Sequence, residues 1–223
     1  PLSDTPRPGN AKFKKLTPVD PNSTNPYQLT EADRTVIGNT TPKFSGGFGL
    51  NATYKGFDMS MFFNFMYDFD VLNANKIMLT TWADNKENNF LMDIASDKRW
   101  RNFDDMGNEI RYSPEVLAEF NKNATMWNPT SIGRPICMSY AVEDGSFLRL
   151  NSATLGYTLP SVWTKKVGLS KVRFYVSGNN LFTLTGYSGY DPEVNIATGL
   201  TPNIDYNRYP RSRTYTFGAQ LTF

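Results

Sequence analysis

The sequence predicts an all-β fold of antiparallel strands that cross a membrane as part of a β-barrel. Three observations carry this. Five segments alternate apolar and polar residues with period two, as strands with one oily face do. Their connections are alternately short and long, the pattern of outer-membrane barrels. The aromatics are mainly Phe and Tyr, 16 and 12 in 223 residues, whose flat rings suit a pleated surface.

Residues 1–43 are rich in Pro, Asn, Thr and Asp, keep no period, and read as a long loop or linker. From Phe44 the pattern changes. In FSGGFGLNATY, Phe44, Gly46, Phe48, Leu50, Ala52 and Tyr54 share one phase, which predicts a strand over 44–54. Lys55-Gly56 supplies a two-residue turn. The next strand, FDMSMFFNFMYDFDV over 57–71, puts Phe57, Met59, Met61, Phe63, Phe65, Tyr67, Phe69 and Val71 on one face.

A long loop, 72–145, holds Trp82, Trp100 and Trp127. Within it SPEVLAEFNKN predicts a short helix, with Ser113 as N-cap and Pro114 at the first helical position. The third strand, 146–159, changes phase between Leu150 and Ala153, which predicts a β-bulge near Asn151 and Ser152. Residues 160–170 form a compact turn. The fourth strand, 171–184, sets Val172, Phe174 and Val176 against Lys171, Arg173 and Tyr175. A second long loop covers 185–212, and a fifth strand, RTYTFGAQLTF, covers 213–223.

A soluble sandwich shares this alternation, so the membrane assignment needs more. Asp58, Asp68, Asp70, Lys171 and Arg173 all avoid the oily face, although a soluble core excludes charge as well. The loops decide more: 55–56 and 160–170 fall on one side, while 1–43, 72–145 and 185–212 fall on the other. In an outer-membrane barrel the short turns are periplasmic and the long loops extracellular. The last strand then ends on the periplasmic side. Tyr54, Phe57, Tyr157 and Phe223 are expected at one level, as part of a periplasmic aromatic girdle.

Composition excludes several functions. The formal charge is +2, and no Lys/Arg cluster alternates with aromatics, so no nucleic acid partner is expected. Cys137 is alone and there is no His, which removes an intrachain disulfide, Cys-based metal sites and the Ser/His/Asp triad. No phosphate-binding glycine loop is present, so neither an enzyme nor a bound cofactor or metal is expected. The polar, Pro-rich start lacks a signal peptide and a Met, and the chain reads as a processed or cut piece of a longer polypeptide.

Four blocks carry a resemblance: RTVIGNTTPKFSGGFGLNATYKGFDMSMFFNF, EDGSFLRLNSATLGYTLP, VRFYVSGNNLFTLTGYSGYDPEVN and YPRSRTYTFGAQLTF. In order and spacing they resemble the C-terminal part of SusC/RagA-type TonB-dependent transporters of Bacteroidetes outer membranes. The resemblance implies the end of a barrel of about 22 strands, whose plug and earlier strands lie upstream of Pro1. It implies import of glycans or peptides driven by TonB, with a SusD-like lipoprotein over the extracellular mouth. A proteolytic nick in an exposed loop would explain Pro1. One departure matters: many members carry a DxNGDG-like repeat before RTVIG, whereas KKLTPVDPNSTNPYQLTEAD here contains no Gly, so calcium binding is not carried over. A final strand ending in Phe is similar to the signal read by the barrel-assembly machinery, with Tyr215, Phe217, Leu221 and Phe223 as its residues here.

Candidate contact residues lie in the long loops. Trp82, Trp100 and Trp127 have flat faces suited to sugar rings, but packing within the loop or against the lipoprotein is the preferred reading. Tyr187, Tyr190, Asp191 and Glu193 in GYSGYDPEVN are weaker candidates for a ligand or metal site, since Gly189 and Asp-Pro at 191–192 are ordinary turn chemistry. Asp68 and Asp70 read as lumen residues near the rim, and Cys137 as a small buried or loop thiol. Two alternatives stand beside the leading one: a siderophore- or cobalamin-type receptor of the same build, and a soluble glycan-binding β-sandwich.

Overall fold

The computed structural model describes residues 7–19, 21–26, 28–81, 89–94, 98–132, 136–194 and 202–223. They form two compact units, one of residues 38–73 and 142–223, the other of 1–37 and 74–141.

The first unit is built on a five-stranded antiparallel sheet. Its strands are β1 (Phe44–Tyr54) and β2 (Phe57–Tyr67), with β5 (Phe147–Thr158), β6 (Lys171–Thr185) and β8 (Thr214–Thr222) following. Their order is β1-β2-β5-β6-β8, so each strand pairs with the next of the five in the chain. Between them lie the short strands β3 (Asp70–Asn73), β4 (Val142–Asp144) and β7 (Ile204–Asp205), which form a second sheet of order β4-β3-β7. Lys55 and Gly56 both take positive φ, 46° and 89°, the backbone of the tightest hairpin turn. That turn sets Tyr54 opposite Phe57 and fixes every later pair of β1 and β2.

The expected bulge is at Asn151. Phe63 pairs with Leu150 but Phe62 with Ser152, and on the other side Leu150 pairs with Phe182 but Ser152 with Asn179. Asn180 absorbs the mismatch in β6 with φ 52°, a conformation that Asn tolerates. Both strands therefore change phase together, and the apolar face stays continuous.

The second strand is shorter than its pattern suggests. Asp68 takes φ 59°, and its N–H donates to Ser146 Oγ at 2.9 Å, which ends β2 at Tyr67. Phe69 and Val71 consequently leave the outward phase. They are 3% and 0% exposed in a small core with Phe147, Tyr187 and Val194, against which Met66 packs. Met66 and Phe147 belong, with Phe62, to the mainly polar face of the large sheet, so this core lies on that side.

The two faces of the sheet differ sharply. Outward residues in register include Leu50, Met61, Ala153, Gly178 and Tyr215, and no outward strand position carries a charge. All eleven residues of β1 are exposed, as are Phe174, Tyr215, Phe217 and Leu221. A β-sandwich would lay a second sheet on that apolar face. None of the described residues of this unit does so. The turn 160–170 contains α3 (Ser161–Thr164).

The other unit contains two short helices, α1 (Ala74–Met78) and α2 (Pro114–Phe120). The expected helix is thus present, but the Ser113 side chain makes no capping hydrogen bond. Ile77, Ile94, Ile110, Ile132, Met138 and Ala141 are buried here. The segment before Phe44 is not featureless: Asp33 accepts from the N–H groups of Leu16, Thr17 and Thr30 at 2.7–2.8 Å, folding residues 15–34 on themselves. Those donors, the Thr17 N–H first, hold the Asp33 carboxyl well below the usual range. Such a group contributes stability above its ordinary pKa and loses it only as pH falls through the lowered one. Residues 15–34 of the full-length polypeptide should therefore resist limited proteolysis equally at pH 7 and about pH 5. Asp33→Asn should open the segment at both.

Candidate functional site

The candidate site is the polar face of the large sheet and the long-loop end beyond it. Alternation supplies the wall: Asp58, Ser60 and Asn64 on β2 face the same side as Ser152 and Thr154 on β5, and as Arg173, Tyr175 and Ser177 on β6. Toward the short-turn end, Arg173 reaches across β5 to Asp58, its Nε donating to Oδ1 at 2.9 Å and Nη2 to Oδ2 at 2.5 Å. Gly156 lies between them, and a Cβ there would sit 2.4 Å from Arg173 Nη2 and 2.6 Å from Asp58 Oδ1. The glycine is what lets this two-pronged ion pair span three strands. Gly218 plays the same part for the Tyr175 ring, which would lie 2.4 Å from an added Cβ. Gly156→Val should displace Arg173 and lower barrel stability by about 1–3 kcal/mol, read as an earlier loss of the folded band on unboiled gels.

At the opposite end of the wall a second network binds the loop after β6. Arg149, 3% exposed, donates from Nη2 to Asp191 Oδ1 at 2.5 Å, and its Nε lies 3.4 Å from Glu193 Oε2. Arg211 completes the chain through Nη2 to Glu193 Oε1 at 2.7 Å. The Glu193 N–H donates to Asp191 Oδ1 at 2.9 Å, a local turn bond that sets the DPE segment for the arginine. Tyr187, 6% exposed, donates its hydroxyl to Asp205 Oδ2 at 2.7 Å. Burial, followed by that bond, pushes its pKa far above the usual tyrosine value, so it stays a neutral donor. Glu143 on β4 accepts from the Ser188 N–H at 3.0 Å and the Ser188 hydroxyl at 2.8 Å.

These contacts place the expected residues. Tyr187 and Asp191 are buried and partnered within the fold, whereas Tyr190 is 85% exposed. Trp100 packs over Gly9, whose Cβ position lies 2.3 Å from its ring, and Trp127 donates Nε1–H to the Thr80 carbonyl at 3.2 Å while meeting Tyr140 edge-on. Trp82 lies outside the described residues. Cys137 is exposed. Asp68 pairs with Lys43, and Asp70 accepts from the Asn39 N–H.

On the outward face, Tyr54, Phe57 and Tyr157 stand in one register row with Phe174, the rings of Phe57 and Tyr157 4.5 Å apart. Tyr215, Phe217 and Leu221 share the outward face of β8. Phe223 lies four positions beyond Ala219, the β8 partner of Phe174. Sequence reasoning did not single out Arg149 or Asp205, and it offered Glu193 only as a ligand or metal candidate. The signal for Arg149 was a lone charge between Leu148 and Leu150, but its partner Asp191 is 42 residues away. No cluster of metal-binding side chains occurs among the described residues.

An uncharged outward face, a polar inner face and a loop tied down at one end define a segment of barrel wall, and similar proteins agree. No protein-family model matches the chain. TonB-dependent receptor P3 of Formosa agariphila is 35% identical over 202 residues, 88% of this chain and 18% of that protein. TonB-dependent receptor SusC of Bacteroides thetaiotaomicron is 38% identical over 88 residues, 38% of this chain and 8% of that protein. Among solved structures, the RagAB peptide importer in its closed-closed state matches 88% of this chain and 19% of its own, with TM-score 0.65 and 25% identity. Its open-open state matches with TM-score 0.63 and 26% identity. The chain is thus a wall segment of a TonB-dependent receptor, a class of outer-membrane β-barrels. More particularly, it corresponds to a fragment of a SusC/RagA-type transporter, spanning less than a fifth of the length of receptor P3.

Proposed function

We propose that this chain forms the C-terminal wall and part of the extracellular mouth of a SusC/RagA-type transporter that imports glycans or peptides across the outer membrane. The long loops are extracellular, and the 55–56 and 160–170 turns are periplasmic with the end of β8. A SusD-like lipoprotein caps the mouth, TonB acts through the plug upstream, and the barrel-assembly machinery inserts the strands. Neither β1 nor β8 has a second neighbour among the described residues, and both edges pair with the remaining barrel.

The segment's work in transport is mechanical and electrostatic. Its outward face holds the wall in lipid, its inner face offers a hydrated polar track, and the Arg149 network fixes the loop from 186 to 194 against that track. The observation that supports this reading most is the match to the RagAB importer over 88% of the chain. Its test is purification of the full-length polypeptide from outer membranes in detergent, followed by mass spectrometry of what accompanies it. A SusD-like lipoprotein and a bound oligosaccharide or peptide are the expected companions. A detergent-independent protein, or one carrying an iron chelate or cobalamin and no lipoprotein, would contradict it.

A further inference from the structure

The turn between β5 and β6 exposes apolar side chains that neither the inner wall nor the mouth explains. Val162 is 69% exposed, Trp163 60% and Val167 70%. They lie on α3 (Ser161–Thr164) and the 3-10 turn that continues it through Val167. The turn is rigidly held. Thr164 is 2% exposed, the Leu169 N–H donates to the Thr164 carbonyl at 3.1 Å, and the Ser170 N–H donates to the Thr222 carbonyl of β8 at 2.8 Å. Lys165 and Lys166 are exposed beside it, and no acidic residue occurs from Leu159 to Lys171.

We propose that residues 160–169 form a lipid anchor: Val162, Trp163 and Val167 insert among the headgroups of the adjoining leaflet, and Lys165 and Lys166 bind anionic phospholipid phosphates. This rests on the membrane reading above. Position argues for lipid as the occupant. The outward face runs to the row Tyr157–Phe174, the Leu159 N–H reaches the Val172 carbonyl one step on, and the turn follows. At about 3.4 Å per residue, the turn begins roughly 10 Å past that aromatic row, the depth of headgroups if the row marks the interface. Tryptophan favours that depth, and two lysines without acidic neighbours complement anionic phosphate. Strands added to complete the barrel would pair at β1 and β8. They would not cover a turn flanked by β2 and β8.

The full-length transporter, reconstituted in phosphatidylethanolamine vesicles containing phosphatidylglycerol, provides the test. An environment-sensitive fluorophore is placed on Trp163→Cys, on Phe217→Cys of the outward wall and on Tyr112→Cys of the other unit, and headgroup-nitroxide and acyl-chain-nitroxide lipids are added in turn as quenchers. Headgroup quenching at 163 and acyl-chain quenching at 217, each at least about twice that at 112, are expected from the interfacial position of the first site and the wall position of the second. Lys165→Gln with Lys166→Gln should cut the phosphatidylglycerol retained in native mass spectra by roughly five-fold per lysine. Quenching at 217 but not at 163 would overturn the anchor and leave the barrel reading standing. No quenching at 217 either would overturn the barrel reading itself. A photo-crosslinker at 163 that captures plug or periplasmic protein in place of lipid would also refute the anchor.

Discussion

Met61→Arg is expected to destabilise the folded barrel by about 2–4 kcal/mol, whereas Ser60→Arg, one residue away, changes stability by about 0.5 kcal/mol or less. Met61 lies near the middle of β2 in the uncharged row Leu50–Met61–Ala153–Gly178–Tyr215. An arginine there faces acyl chains at mid-depth. Ser60 pairs with Asn51 and Thr154 on the polar side, where an arginine keeps its water. Unfolding in denaturant from lipid vesicles, followed by loss of the folded band on unboiled gels, gives both numbers. Equal costs at the two positions would mean that the faces are not lipid and lumen.

Arg149→Met should cost about 3–5 kcal/mol in the same assay, because it leaves the Asp191 carboxylate buried without its cation. Both side chains are less than 10% exposed, so water cannot replace the lost partner well. The single change should also make the loop from 186 to 194 sensitive to protease. Adding Asp191→Leu should recover most of the loss, since it removes the stranded charge as well. Glu193 keeps Arg211 in either variant. A single variant as stable and protease-resistant as the parent would show that the network does not hold the loop.

The strands were legible because period-two alternation is a local property. Lys55-Gly56 announced its hairpin, and the phase change after Leu150 announced its bulge, from a few neighbouring residues each. What misled was the continuation of the same phase through Phe69 and Val71. Nothing local marks Asp68 as the residue that turns left-handed, because what ends β2 includes a hydrogen bond to Ser146, 78 residues away. The ion networks were hidden for the same reason. Asp58, Gly156 and Arg173 are meaningful only when the register sets them side by side, and Arg149 finds Asp191 only once β6 has turned back over the wall. In the region before Phe44, polar composition read as loop, yet Asp33 organises it through backbone donors that leave no periodic trace.

The most direct test of the central claim is cysteine accessibility along the strands of the full-length transporter in vesicles. Single cysteines at Leu50, Met61, Leu155 and Phe217 should be quenched by nitroxide lipids and shielded from a water-soluble maleimide. Those at Asn51, Ser60, Thr154 and Thr216 should show the reverse. The same accessibility for both sets, or lipid contact by the second set, would contradict the assignment of this sheet as a transporter's wall.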